Sequence, residues 1–177
     1  MMAEILPIAQ LGNPILRQKA QPVANVTDGT VQALIDSLMA TAASANGVGM
    51  AAPQVSQPYR LLIIASRPSP RYPHAPLMEP TAMLNPRLVD RSSEIVKDWE
   101  GCLSIPGIRG LVPRYQSLEI EYTDRDGKLQ HQELTDFVAR IFQHEFDHLN
   151  GLVYLDRIES THDLMTEQEY QRMLNAE

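Results

Sequence analysis

Cysteine is nearly absent from this chain of 177 residues: Cys102 is the only one. No intramolecular disulfide is available, and the fold owes nothing to an oxidising compartment. Long apolar runs are also missing. No stretch approaches the ~20 residues needed to cross a bilayer. The N-terminal "MMAEILPIAQLGNPIL" has no basic region leading into an apolar core, so it does not read as a secretory signal. Basic charge is in deficit, with 15 Lys and Arg against 22 Asp and Glu and a net charge of −7. That argues against a nucleic-acid surface, which normally carries a basic face. Internal repeats and low-complexity tracts are lacking too. What remains is one acidic globular domain, 1–177, long enough to bury a core. The expected protein is a monomer in the cytoplasm, or in an organelle if a transit peptide was removed, with no membrane attachment.

Periodicity supplies the coarse architecture. "TDGTVQALIDSLMATAASANG" spaces Val31, Leu34, Ile35, Leu38, Met39 and Ala42 as a helix does, with Thr27 or Asp28 to cap it and Asn46-Gly47 to end it. "RLLIIAS", 60–66, reads as a buried strand, and "RPSPRYPHAPLMEP" as a proline-rich surface loop. "SLEIEYTDRDGKLQHQEL" alternates Leu118, Ile120 and Tyr122 and turns at Asp126-Gly127, a hairpin signal. A helix begins near Asp136. The predicted fold is α+β, with mostly antiparallel sheet packed around a central helix.

That helix carries "QHEFDHLNG", 143–151. At about 100° per residue, Phe137, Val138, Ile141, Phe142 and Leu149 share an arc of roughly 160°. His144, Glu145 and His148 fall inside the same arc, while Arg140, Gln143, Phe146 and Asp147 fall outside it. The three titratable groups therefore point inward, where an unpartnered polar group is costly. A lone inward histidine is more often a hydrogen-bonded core residue than a ligand. Two of them one turn apart aim both imidazoles at one point, as a metal requires. Chance would supply H-E-x-x-H on the order of once per hundred such chains, so the motif needs support from elsewhere in the sequence.

A catalytic site needs a third protein ligand. Cys102 lies in "EGCLSIPG", which has too many turn-formers for a plain core strand; beside a two-histidine helix its thiol reads as the ligand rather than as a small buried hydrophobe. Rivals remain. Tyr154 stands where a metzincin would place its third histidine. Glu167 or Glu169 could complete a zinc endopeptidase, and His162 could close a non-catalytic metal module. Cys102 could instead be the nucleophile of a thiol hydrolase. A third stretch, "GVGMAAPQ", 47–54, has glycines that allow close backbone approach by a ligand and an amide at Gln54. Alone it would pass for a turn.

Together "GVGMAAPQ", "EGCLSIPG" and "QHEFDH" resemble the three motifs of the peptide deformylase family, in order. "NPILRQKAQPV", "MLNP" and "GIRGLVPR" agree, and "WEGCLSIPGIRGLVPR" is similar to its type I branch. The resemblance runs from about residue 5 to 158 and leaves the tail after Ser160 undiagnosed. It implies a hydrolase that removes the formyl group from the N-terminal formyl-methionine of nascent polypeptides, near the ribosome. Cys102, His144 and His148 would hold one divalent ion, ferrous iron by implication, with zinc, nickel or cobalt able to substitute. A water on that ion would attack, and Glu145 would carry its proton to the leaving amine. The Gln54 side chain and the Leu103 backbone N–H would receive the oxyanion. Backbone groups of Val48 and Gly49 would pair with the substrate, and Phe137 and Ile141 would line the methionine pocket. The resemblance also pairs Glu100 with Arg114; the plainer alternative is two solvated surface charges.

Overall fold

The computed structural model describes residues 3–176; Met1, Met2 and Glu177 of the expected 1–177 span lie outside them. The first helix, α1, is Gly29–Ser44. Of the two candidate caps Asp28 is used, its carboxylate accepting from the Thr30 N–H at 2.9 Å. The helix stops where Asn46 turns into the left-handed region at φ 54, the place the Asn-Gly pair marked.

Strands β1 (Gly49–Ala51), β2 (Leu61–Ile64), β3 (Thr81–Arg91), β6 (Ser117–Thr123) and β7 (Leu129–Thr135) form a five-stranded antiparallel sheet in the order β1-β2-β3-β6-β7. The predicted β6–β7 hairpin is present, its register running from Ser117 opposite Thr135 to Thr123 opposite Leu129. Strand alternation explains why the run at β2 is apolar without a break. Leu62 and Ile64 pack toward the central helix α2 (Asp136–Leu149), beside Ile120, Leu134 and Phe142. Leu61 and Ile63 pack on the other face with Ile35 and Leu38 of α1. The fold is α+β, with α2 laid across the sheet.

A second antiparallel sheet holds β4 (Ile95–Cys102), β5 (Ile105–Tyr115) and the short β8 (Leu164–Thr166). β8 leads into a C-terminal helix, α3 (Glu167–Ala176). Sequence patterning did not foresee β3, β4 or β5 as long strands. Pro86 falls within a register shift of β3, and Pro113 faces Lys97 across β5. Prolines tolerated at bulges and edges disguise a strand. The segment around Cys102 is partly what was expected: β4 ends there at a shift between Gly101 and Cys102, and Leu103-Ser104 turns into β5.

The proline-rich stretch 67–80 has no strand or helix but is not wholly a surface loop. Ala75 is buried, and the Tyr72 ring packs on Phe137 of α2 with centroids 5.3 Å apart.

Candidate active site

Three segments distant in sequence meet at the middle of α2. His144 and His148 stand one turn apart, ring centroids 5.2 Å apart at 71°. Cys102, at the end of β4, brings its Sγ to 3.4 Å from His148 Nε2. The thiol and one nitrogen from each imidazole all lie within 4.8 Å of one another, and all three residues are buried.

Gln54 arrives from the short 3-10 turn Ala52–Val55 that follows β1. Its Oε1 accepts from the Ala51 N–H at 2.9 Å, which fixes the amide. The NH2 group then points at Cys102 Sγ, 3.6 Å away, and at Ser104 Oγ, 3.2 Å away. Gly49 opens β1, an edge strand of the five-stranded sheet. A Cβ on Gly49 would meet Ile141 Cγ2 at 2.7 Å and Glu145 Oε1 at 2.8 Å, so only glycine lets this edge approach the helix so closely. The Val48 carbonyl accepts from the Ala65 N–H at 2.8 Å. Alternation then turns the main-chain groups of Gly49 away from β2.

Behind His144 lies a charge network. Its Nδ1–H donates to Glu100 Oε1 at 2.8 Å, which leaves Nε2 for the thiol side. Arg114 grips Glu100 with two bonds of 2.9 Å and reaches Asp147 Oδ2 at 2.7 Å. The Glu100–Arg114 pair implied by the resemblance is thus present, and it is buried rather than solvated. Arg140 and Asp147, which fall outside the apolar arc, are buried as well. Arg140 Nη1 donates to Glu100 Oε2 and to the Val112 carbonyl, both at 2.8 Å, and Nη2 donates to the Val96 carbonyl at 2.7 Å. The reason is that the β4–β5 sheet covers a second side of α2, a side that a helical wheel assigns to water.

The charge states follow from this packing. Burial alone would raise the Glu100 carboxyl, but the Arg114 guanidinium outweighs it and holds the acid well below the carboxylate range. Burial would likewise raise the Cys102 thiol; the imidazoles of His148 and His144 reverse that and favour the thiolate. Glu145 is different. Burial pushes its carboxyl up, from an ordinary 4.5 to about 7. Its Oε2 and the Nδ1 of His148 are buried with no hydrogen-bond partner among the described residues. A thiolate and two imidazole nitrogens, with a spare carboxylate oxygen beside them, fit a borderline or soft divalent cation.

The rival ligands are committed elsewhere. Glu167 is paired with Arg109 and Glu169 with Arg172, and His162 is exposed on a 3-10 turn. None joins the cluster among the described residues.

One pocket is lined by Cys102, His144, Glu145, Gln54, Leu103, Val48, Gly49, Phe137 and Ile141; His148 is fully buried and not on the wall. Sequence reasoning missed Arg71, Tyr72 and Trp99, which also form part of the wall. The one available signal was an aromatic residue inside "PRYPHAP", where a solvated loop has no use for a ring.

Two imidazoles and a carboxylate on one helix, facing a thiolate in an α+β fold, define an HExxH-type metallohydrolase. The polypeptide deformylase family matches residues 5–163, and the chain belongs to that family. It is 67% identical to peptide deformylase 2 of Nostoc sp. over 174 residues, covering 98% of this chain and 97% of that one. Against peptide deformylase 2 of Shewanella oneidensis the identity is 48%, over 93% of this chain and 90% of the relative. A crystal structure of a class I type b peptide deformylase from Acinetobacter baumannii with Met-Ala-Ser bound superposes with a TM-score of 0.86 at 43% identity, over 89% of this chain and 100% of that one.

Proposed function

We propose that this protein is a metal-dependent hydrolase that removes the formyl group from the N-terminal formyl-methionine of newly made polypeptides and releases formate. The observation that carries this reading is the buried Cys102, His144 and His148 cluster beside an unpartnered Glu145 oxygen, in a member of this family.

Cys102, His144 and His148 would hold one divalent ion. When bound, the ion supplies Lewis-acid activation of water near neutral pH. Glu145 takes the proton of the attacking water and delivers it to the departing amine nitrogen. A carboxyl raised to about 7 is suited to both halves of that transfer. The Gln54 amide and the Leu103 N–H donate to the oxygen of the formyl carbonyl as it becomes negative. Val48 and Gly49 pair with the substrate main chain as an added strand. Phe137 and Ile141 receive the methionine side chain.

We assign these roles to a single type I catalytic domain spanning 1–177. It acts as a monomer in the cytoplasm, near the ribosome, because its substrates are chains still being made. Its net charge of −7 supports a peptide rather than a nucleic acid as its partner. No helix among the described residues is long and apolar enough to cross a membrane.

Formate release from formyl-Met-Ala-Ser, measured with and without a chelator, tests the reading. Chelator-sensitive release is expected. Release that survives complete metal removal would favour Cys102 as a nucleophile, and internal cleavage of a protein without formate would favour an endopeptidase. Metal analysis of Cys102→Ala should find the ion lost, and full occupancy would remove Cys102 from the ligand set.

For the ion itself we propose ferrous iron, with zinc, nickel or cobalt able to occupy the same donors. A redox-active ion on the only thiolate invites oxidation of metal and sulfur. Iron-loaded protein should lose activity in air and gain oxygen on the Cys102 peptide, while nickel-loaded protein persists. Full activity of the iron form after prolonged aeration would count against iron.

A further inference from the structure

Arg109, on β5, is fully buried and has no part in the chemistry above. Its guanidinium lies between two rings, with the central carbon 5.0 Å from the Tyr72 centroid and 4.6 Å from that of Tyr170. Nε donates to Glu167 Oε2 at 2.6 Å and Nη2 to Glu167 Oε1 at 3.2 Å, and Nη2 also reaches the Arg71 carbonyl at 3.5 Å. Glu167 and Tyr170 belong to α3, while Arg71 and Tyr72 belong to the proline-rich loop. One side chain therefore ties the C-terminal helix to a wall of the active-site pocket.

As a source of stability this arrangement is poor. Arg109 Nη1 is buried with no partner among the described residues, and the carboxylate it grips is 39% exposed. An apolar side chain of similar volume would avoid both desolvation costs. What the arrangement does secure is the place of Tyr72. That residue lines the pocket and packs on Phe137, and its hydroxyl accepts from the Gly101 N–H at 3.3 Å, beside Cys102. No strand or helix lies between Ile64 and Thr81 to hold it there. Gly101 supplies a separate observation: a Cβ there would come within 3.0 Å of both Arg109 Nε and Arg71 Nη2. The two arginines pack directly against the backbone that leads to Cys102.

We infer that Arg109, Glu167 and Tyr170 form a positioning unit that sets Tyr72 as the outer wall of the methionine pocket, so that α3 contributes to substrate affinity and not to the chemical step. The inference rests on the deformylase reading of the site. None of the three lines the pocket. Arg109 reaches the wall through Tyr72, and Tyr170 packs both on Arg109 and on Trp99, whose ring centroid is 6.0 Å away.

A double-mutant cycle with formyl-Met-Ala-Ser tests this. Tyr170→Ala should raise KM about tenfold, the scale of a buried cation–π contact, with kcat and metal content unchanged. Tyr170→Phe, which keeps the ring, should restore the wild-type KM, and Glu167→Gln should raise it in the same direction as Tyr170→Ala. Tyr72→Ala should raise KM by itself, and adding Glu167→Gln to it should bring no further loss, because the effect of Glu167 passes through Arg109 to Tyr72. Additive losses, an unchanged KM, or a matched fall in kcat and metal content would each overturn the inference. Isothermal titration with Met-Ala-Ser gives an independent affinity, whereas Trp99 fluorescence would respond directly to Tyr170→Ala because the two rings pack together. If the wild-type protein releases no formate, the deformylase reading fails, and the same cycle read by titration with Met-Ala-Ser still decides whether α3 sets the pocket wall.

Discussion

The two sides of α2 treat charge in opposite ways. Toward the β4–β5 sheet, Glu100, Arg114, Arg140 and Asp147 pair completely; each carboxylate is gripped by two cations, and Glu100 also accepts from His144. Toward the pocket, Glu145 keeps a buried carboxylate oxygen without a partner among the described residues. A protein that satisfies one face so fully does not leave the other short for want of donors. The paired face spends its bonds on fixing the orientation of His144. In the proposed mechanism the open face keeps Glu145 free for the water and the substrate.

The contrast yields a dissociation that mutants can break. Glu145→Gln should retain the metal and lower kcat by about 10²–10⁴, because an amide cannot shuttle a proton. It should not lower the melting temperature, since it replaces an acid whose ionised form is disfavoured by burial. Activity within a few-fold of wild type would reject the role given to Glu145. On the opposite face, Arg114→Met should reverse the pattern. Removing the cation shared by Glu100 and Asp147 should cost about 3 kcal/mol of stability in a denaturant titration, as breaking a buried pair does. Turnover per bound metal should fall far less than in Glu145→Gln. If Arg114→Met proved as stable as wild type, the paired face would not be the structural one.

The open face was far more legible in the sequence than the paired one. His144, Glu145 and His148 reveal themselves because four-residue spacing is a property of one helix and needs no partner. The hairpin at 117–135 is legible for the same local reason, in its alternation and its Asp126-Gly127 turn. Cys102 needed the scarcity of thiols and the family motif to stand out. Arg140 and Asp147 were hidden because a helical wheel records only its own helix, and the strands that bury them arrive from residues 95–115. Those strands were themselves masked by Pro106 and Pro113 and by a run of charges that reads as solvated. Tyr72 was lost among prolines that mark a surface loop. What a single segment determines could be read; what two distant segments make together could not.

Gln54 sharpens the comparison because it serves both purposes. Its NH2 group faces the thiol while its Oε1 caps the buried Ala51 N–H. Gln54→Ala should lower kcat by about 10²–10³ if the amide is an oxyanion donor. It should also cost about 1 kcal/mol of stability through the unpaired Ala51 N–H. An effect confined to KM would mean that Gln54 binds only the ground state.

The smallest effect belongs to the rim of the paired face. Arg157 donates to both oxygens of Asp147, at 3.1 and 2.7 Å, a geometry as good as that of Arg114. Its side chain, however, is 47% exposed, against 4% for Arg114. If hydrogen-bond count set the energy, the two arginines would matter alike. If burial sets it, Arg157→Ala should cost under ~1 kcal/mol, because water can solvate the outer oxygen of Asp147 while Arg114 keeps the inner one paired. Burial also predicts the salt response. The cost of Arg157→Ala should shrink further at high ionic strength, whereas that of Arg114→Met should hold, since buried pairs are little screened. Equal costs for the two substitutions in a denaturant titration, or equal salt dependence, would show that the network acts as one unit and that the gradient from core to rim has no energetic meaning.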